Sequence, residues 1–430
     1  MMRTFASLFK NKEIRNRIFF TLAMLLIYRI GSAIPVPGVD ASKLSAQIAD
    51  NSILSMMNLL GGGAFERLSV FALGVTPYIT ASIIIQLLSM DVIPALTEMA
   101  KSGQTGRQEM EKVTRYTAVI LAFVQSYSMV YGFDRSYQIL QSNTVASYMF
   151  TAVILTAGTQ FLCWIGDRIS MKGIGNGISI LIFAGIVSNM PANFVQVYNI
   201  MVGGSTQGAV FSGVLKFALF CLLYLVIIVG VVIMQLAERR VPIQYTNAGG
   251  RTARNQENIT YLPFKINSAS VIPVIFASSI MMAPQIILSF ANADAYQKVA
   301  NVLSMQKPLG LVIYAVLTYL FTFFYTDLQV DPEKVAENLS KSGAYIPGIR
   351  PGNETKTYLK KVLNRITVLG ATGLTVIAVI PYLLPMISNL PAAISIGGTG
   401  IIIVVGVAME TMGQLKGQLT QKQYHGFLNF

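Results

Sequence analysis

The sequence predicts an all-α protein that crosses a membrane ten times, and three observations carry that reading. First, 53% of the 430 residues are hydrophobic and only 12% are charged, where a soluble domain runs near a quarter charged; mean hydropathy is +0.57. Second, ten apolar stretches approach the ~20 residues a helix needs to cross the hydrocarbon core. Third, Lys and Arg alternate from one side to the other. Two ordinary soluble domains and a disordered chain are excluded. The 35 glycines and 16 prolines fit, because neighbouring helices can satisfy the backbone groups these residues free. Cys163 and Cys221 both lie in apolar stretches, which excludes a disulfide scaffold and a Cys-rich metal site. His425 is the sole histidine, so no multi-His centre is possible.

In chain order the spans are Ile18–Ile34, Leu68–Leu88, Tyr116–Tyr131, Tyr148–Ile165, Ile174–Met190, Val214–Leu236, Ala269–Phe290, Leu309–Tyr325, Ile366–Leu384 and Ile394–Met409. Arg15 and Arg17 give the first a signal-peptide flavour, but nine further spans favour an uncleaved helix. Counting alternate regions from the N-terminus places 25 of the 32 basic residues on one side and 5 on the other, with Arg29 and Lys216 at or within spans. That asymmetry puts both termini in the cytoplasm and explains most of the +13 charge without nucleic acid.

Ten spans divide as five and five. An odd number per half inverts the second half about an axis in the membrane plane. The expected domains are residues 1–188, an external hinge loop at 189–213 rich in Gly and free of charge, and residues 214–430. Inverted halves suit alternating access and equally a clam-shell that parts along one side.

Two cytoplasmic loops, 237–268 and 326–365, carry more basic residues than orientation needs. Arg239, Arg240, Arg251, Arg254 and Arg350 are among them. A docking surface or contact with anionic lipid, worth about 1 kcal/mol per basic residue, would account for them. All 19 acidic residues fall outside the predicted span cores, which argues against an ion-coupled carrier. Metalloprotease, nucleophile-elbow and phosphate-loop motifs are absent from the sequence. No enzyme and no cofactor is therefore expected.

Two regions invite a mechanism. Ile53, Leu54, Met56, Met57, Asn58, Leu59 and Leu60 precede Gly61-Gly62-Gly63. This stretch is too short to cross and too apolar for an exposed loop. It reads as a re-entrant plug at about 53–65 or as a surface amphipathic turn. Span 2 pairs Val75 with Ile79, and span 5 pairs Ile178 with Ile182, each at i,i+4 and so on one helix face. Beside Gln86, Asn176 and Ser179, such pairs suit a hydrophobic constriction or ordinary helix packing.

Longer motifs narrow the choice. RIGSAIPVPG (29–38), FALGVTPYITASIIIQLL (71–88), GIGNGISILIFAGIV (173–187), VIPVIFASSI (271–280) and KSGAYIPGIRPG (341–352) occur in order and with matching spacing. Together they resemble the SecY family, the central subunit of the bacterial Sec protein-conducting channel. The resemblance implies two inverted, pseudo-symmetric halves with a lateral gate. Its pore ring would be Val75, Ile79, Ile178, Ile182, Ile275 and Ile403. Val75 is smaller than the isoleucine frequent in relatives. The plug would be the 53–65 segment. The gate would lie where spans 2 and 3 meet spans 7 and 8, with Gln86, Asn176 and Ser278 in its polar cluster. Arg239, Arg240 and Arg350 match the family's docking positions for the SecA motor and the ribosome. The tip Asn247-Ala248-Gly249-Gly250 is poorer in basic residues than many relatives, and Arg251 and Arg254 would substitute. SecE-like and SecG-like small subunits, signal sequences and nascent polypeptides are the implied partners, in the cytoplasmic membrane. The alternative of another class is an inverted-repeat secondary transporter of a small solute; a membrane-embedded transferase stands behind both.

Overall fold

The computed structural model describes residues 12–40, 63–90, 92–140, 142, 144–203, 210–245, 260–288, 302–388 and 393–427. Each of the ten predicted spans contains a helix. In order these are α1 (Lys12–Ala33), α2 (Thr76–Leu88), α4 (Gly103–Tyr137), α5 (Val145–Lys172), α6 (Gly177–Tyr198), α7 (Val210–Leu236), α8 (Ile272–Leu288), α9 (Pro308–Gln329), α11 (Asn353–Ser388) and α12 (Ala393–Phe427). Short helices α3 (Pro94–Lys101) and α10 (Pro332–Lys341) precede α4 and follow α9. By length and apolarity, seven stretches of described helix can cross a membrane, while Thr76–Leu88 and Ile272–Met281 are shorter apolar helices. Large apolar side chains stand exposed along the outer faces, among them Phe19, Leu22 and Leu26 on α1 and Leu215, Leu219 and Leu222 on α7. Such faces fit lipid, not water.

The first five and the last five of these spans pack in the same pattern. In the first set α2 packs on α4, α4 on α5, α5 on α6, and α1 on both α5 and α6. Five spans on, α8 packs on α9, α9 on α11, α11 on α12, and α7 on both α11 and α12. The sets meet where α2 and α4 touch α8, and again where α6 touches α12. One apolar cluster runs through both sets, from Tyr28, Ile182 and Ile186 to Tyr224, Ile275 and Ile403.

Three expectations change. Span 2 is helical only from Thr76, not from Leu68. At about 1.5 Å per residue, its 13 residues cover some 20 Å of the ~30 Å hydrocarbon core. Residues 63–75 are irregular yet largely buried: Ala64, Phe65 and Leu68 are inaccessible, and only Glu66 and Arg67 are exposed. Their backbone is satisfied internally. Ser69 N–H donates to the Ala64 carbonyl (2.9 Å), Val70 N–H to Ile34 (3.0 Å), and Leu68 accepts from Val36 N–H (3.0 Å). The predicted loop 189–213 is helical for much of its length. Helix α6 runs through Pro191 to Tyr198 and continues as a π-turn, Asn199–Gly203, that packs on α7. This uncharged helix end is mostly exposed, with Val197 and Met201 buried and Val195 and Tyr198 facing outward.

The described parts of the two basic loops, 237–245, 260–268 and 326–365, form a folded unit. Strands β1 (Glu238–Tyr245), β2 (Thr260–Lys265) and β3 (Ala344–Tyr345) make an antiparallel sheet of order β2-β1-β3. Its register sets Glu238 against Lys265 and Tyr245 against Ala344. Pro242 is tolerated in the middle strand because β3 pairs only with Gln244 and Tyr245, leaving an open edge at the proline. Val241 and Ile243 point inward, and with Phe264, Leu339, Ile346 and Leu359 they build a separate small core. The plug positions Ile53, Leu54, Met56, Met57, Asn58, Leu59 and Leu60, and Arg251 and Arg254, lie outside the described residues.

A close approach fixes the turn between α5 and α6. A Cβ on Gly177 would sit 1.9 Å from the Gly166 carbonyl oxygen. Gly177→Ala is expected to lower stability by about 1–3 kcal/mol, since backbone must move to admit the methyl. Thermal unfolding in detergent checks this, with Gly413→Ala, which meets nothing within 4 Å, as the tolerated control.

Candidate pore constriction, gate and docking loop

Three of the four helices that carry the predicted ring begin at it. Val75 is the N-cap residue of α2, and its carbonyl accepts the first helical bond from Ile79 N–H (3.1 Å). The pair therefore spans the helix start; it does not lie on a helix face, as the sequence expectation had it. Ile178 lies in the first turn of α6, one turn before Ile182. Ile275 lies in the first turn of α8, its N–H on the Val271 carbonyl (3.3 Å). Ile403 sits inside α12. Val75, Ile182, Ile275 and Ile403 are 5%, 4%, 7% and 1% exposed. Ile79 and Ile178 are half-buried and pack on the same cluster. All six belong to one apolar cluster to which both sets of spans contribute.

Each of these helix starts follows a left-handed residue: Gly74 (φ 58), Gly175 (φ 73) and Ser270 (φ 57). At α6 the turn is cinched by side chains that sequence reasoning missed. Ile174 N–H donates to Thr21 Oγ1 (3.2 Å) and Gly177 N–H to Ser170 Oγ (2.8 Å). Asn176 caps α6, its Oδ1 accepting from Ile178 N–H (3.1 Å) and Ser179 N–H (3.4 Å). Asn before a helical run is an N-cap signal; the Thr21 and Ser170 contacts join distant elements and leave no such trace.

The three gate positions are arranged differently from one another. Gln86 lies on α2, which packs on α8. Its Nε2 donates to Ser82 Oγ (3.1 Å), while its buried Oε1 has no partner among the described residues. Ser278 on α8 is 1% exposed and donates to the Ile275 carbonyl (2.8 Å). Asn176 is engaged in its cap, on a helix that packs on α1, α5 and α12. Phe276, beside Ile275, meets the rings of Phe321 (6.3 Å) and Tyr325 (5.5 Å), tying α8 to α9.

Arg350 is exposed between two Pro-Gly turns. Ile349 N–H donates to the Ile346 carbonyl (3.1 Å) across Pro347-Gly348, with Gly348 at φ 80, the signature of a type II turn. Gly352 follows at φ 103, and buried Thr355 donates to the Arg350 carbonyl (2.9 Å). Ile346 anchors the loop in the small core. Among the described residues no carboxylate pairs with Arg350 or Arg239. Arg240 is paired with Glu238 (2.8 Å); both are exposed, so the pair contributes little. The result is a cation on an exposed loop that is pinned on either side by buried Ile346 and Thr355.

The comparisons accord with this geometry. The family model SecY matches residues 69–412. Protein translocase subunit SecY of Staphylococcus carnosus (strain TM300) is 45% identical over 430 residues, covering 99% of both chains. The same subunit of Staphylococcus aureus (strain NCTC 8325 / PS 47) is 45% identical over 432 residues, again with 99% of both covered. Among solved structures, a protein conducting channel matches with a TM-score of 0.68 at 18% identity, over 97% of this chain and 95% of that one. A Sec61 chain of the canine ribosome-channel complex from the endoplasmic reticulum matches with a TM-score of 0.64 over the same shares. These distant likenesses fix the fold; the family match sets aside the solute-carrier and transferase readings. A chain matched over four-fifths of its length by the family model, and over nearly all of it by close relatives, belongs to the SecY family of protein translocase subunits.

Proposed function

We propose that this chain is the pore-forming subunit of a protein-conducting channel in the bacterial cytoplasmic membrane. Six apolar side chains from α2, α6, α8 and α12 fall in one cluster where two five-span sets meet, and this observation carries the reading. Such a ring yields to an unfolded chain yet excludes hydrated ions by dewetting. Residues 1–188 and 214–430 act as the two halves, hinged near 189–213. They part where α2 and α4 meet α8. A signal sequence or membrane helix enters there, and the plug at 53–65 moves aside. Both termini face the cytoplasm. Arg350 and Arg239 on the sheet unit receive the SecA motor or the ribosome, with Arg251 and Arg254 adding charge, and anionic lipid contacts the remaining basic residues. A SecE-like helix clamps the halves, and a SecG-like subunit joins them. No bond is made or broken by this chain; the motor, the ribosome or the membrane potential supplies the energy.

The direct test places one cysteine at Ile275 after removal of Cys163 and Cys221, and stalls a preprotein carrying one cysteine in mid-transit. A disulfide that forms only with the chain stalled is expected. Reaction at other positions but never at Ile275 would move the constriction elsewhere. For docking, Arg350→Glu should abolish SecA-driven export in reconstituted vesicles while leaving assembly with the small subunits intact; normal export would refute the role. For the gate, Gln86→Leu removes a buried acceptor that has no partner among the described residues, a defect of about 1–3 kcal/mol. Its expected effect is a tighter α2–α8 contact and a greater signal-sequence hydrophobicity needed for export. An unchanged threshold would separate Gln86 from gating.

A further inference from the structure

We propose that the Asp134 carboxylate is a positioning residue that seats the irregular segment 63–75 and so fixes Val75 at the constriction. Asp134 lies in the last turns of α4, 2% exposed. Its Oδ1 accepts from Leu140 N–H (2.9 Å), and Tyr148 of α5 donates its hydroxyl to Oδ2. The helix ends just beyond, at Gln138, which is left-handed (φ 51). The carboxylate thus replaces a backbone cap for a buried amide and ties the end of α4 to the start of α5.

What this turn holds leads, through residues 63–75, to the predicted ring position Val75. Residues 139–140 pair with the extended segment after α1: Asp40 N–H donates to the Ile139 carbonyl (2.8 Å), and Val39 bridges Leu140. The same extended segment pairs with 68–70, through Val36 N–H to Leu68 and Val70 N–H to Ile34. Ile139, Leu140, Phe65, Leu68, Ala72 and Leu73 share one apolar cluster. Phe133, next to Asp134, meets Phe65 edge-on at 5.6 Å. Three strand-like pieces are therefore layered between the end of α4 and the start of α2, and Val75 closes the last of them. With the carboxylate gone, Leu140 N–H would be buried without a partner, and the outermost layer would detach first.

The inference rests on the constriction reading, so the test separates the two. Complexes with their small subunits are reconstituted in vesicles, and basal ion leak is measured. Ile275→Gly, which widens the ring directly, is the reference. Asp134→Ala should leak several-fold more than the parent at equal protein and subunit content. Tyr148→Phe, which loses one of the two bonds, should fall between, and Asp134→Asn, which keeps an acceptor for Leu140, should stay near the parent. In a background lacking Cys163 and Cys221, Val39→Cys with Leu140→Cys adds a tether. Bridge partners lie about 4.5–5.5 Å apart at Cα, within disulfide range. The oxidised tether should restore the seal in Asp134→Ala, and reductant should reopen it. A leaking Ile275→Gly beside a tight Asp134→Ala overturns the proposal, as does a formed disulfide with persistent leak. A tight Ile275→Gly overturns the constriction reading and this one with it. If Asp134→Ala fails to accumulate, Tyr148→Phe decides: leak above the parent supports the role and parental leak refutes it.

Discussion

Backbone that is not helical must be hydrogen-bonded inside this protein, because its outer faces are apolar. The rest of the structure depends on that constraint. A ring of side chains between two bundles could be built from unbroken helices. Here α2, α6 and α8 instead start at the ring, each one residue after or near a left-handed position at Gly74, Gly175 or Ser270. Every start exposes amides that no preceding helical turn can satisfy. The chain meets them locally: Asn176 Oδ1 accepts at α6, the Val271 carbonyl accepts from Val274 N–H at α8, Thr21 and Ser170 accept on the approach to α6, and Pro77 removes one amide from the first turn of α2. Gly166 and Gly177 permit the contact that brings α5 to this turn.

The spans were legible because apolar runs of span length are local signals; the six proposed ring positions rest on the family resemblance, and the structure adds only that they share one apolar cluster. Ile275 and Ile403 came from the motif alone; nothing in their own neighbourhood distinguishes them from packing residues. The start of α2 was misplaced by eight residues because 68–75 is as apolar as a helix. Its irregularity is dictated by partners at 34–36, over thirty residues away, which hydropathy does not register. The sheet was missed for a different reason. Val241 and Ile243 alternate with exposed residues, a two-residue period, but that signal spans only four residues and follows two arginines, too short to mark a strand. Strand β3 is two residues long and exists only because β1 offers it an edge.

The gate positions show where motif reasoning needs geometry. Gln86, Asn176 and Ser278 look alike as polar residues in apolar spans. Ser278 spends its proton on its own helix, and Asn176 spends its oxygen on a cap. Among the described residues, Gln86 alone of the three keeps a buried atom without a partner, on a helix that packs on α8. A buried unpaired acceptor weakens the contact it sits in. That is useful only if the contact must separate, so the weakest polar accounting coincides with the place where the two sets of spans touch through α2.

A short connection joins the proposed docking loop to α8. Arg350 follows β3, which pairs with β1; β1 pairs along its length with β2; and β2 leads within ten residues to Ile275. The intervening turn is held by Ile266 N–H on the Ala237 carbonyl (2.9 Å) and by Asn267 Nδ2 on the Ser270 carbonyl (2.9 Å). Gly370 of α11 lies so near that a Cβ would sit 2.3 Å from the Ile266 carbonyl oxygen. Hydrogen-bonded strands deform less than a free loop, so a displacement imposed at Arg350 moves the sheet as a unit. Helix α9, bound to α8 through Phe276, must follow. A partner that engages the basic face would thus reach α8 and α9 together, and the contact they make with the first set of spans runs through α2 and α4, where Gln86 leaves it loosest.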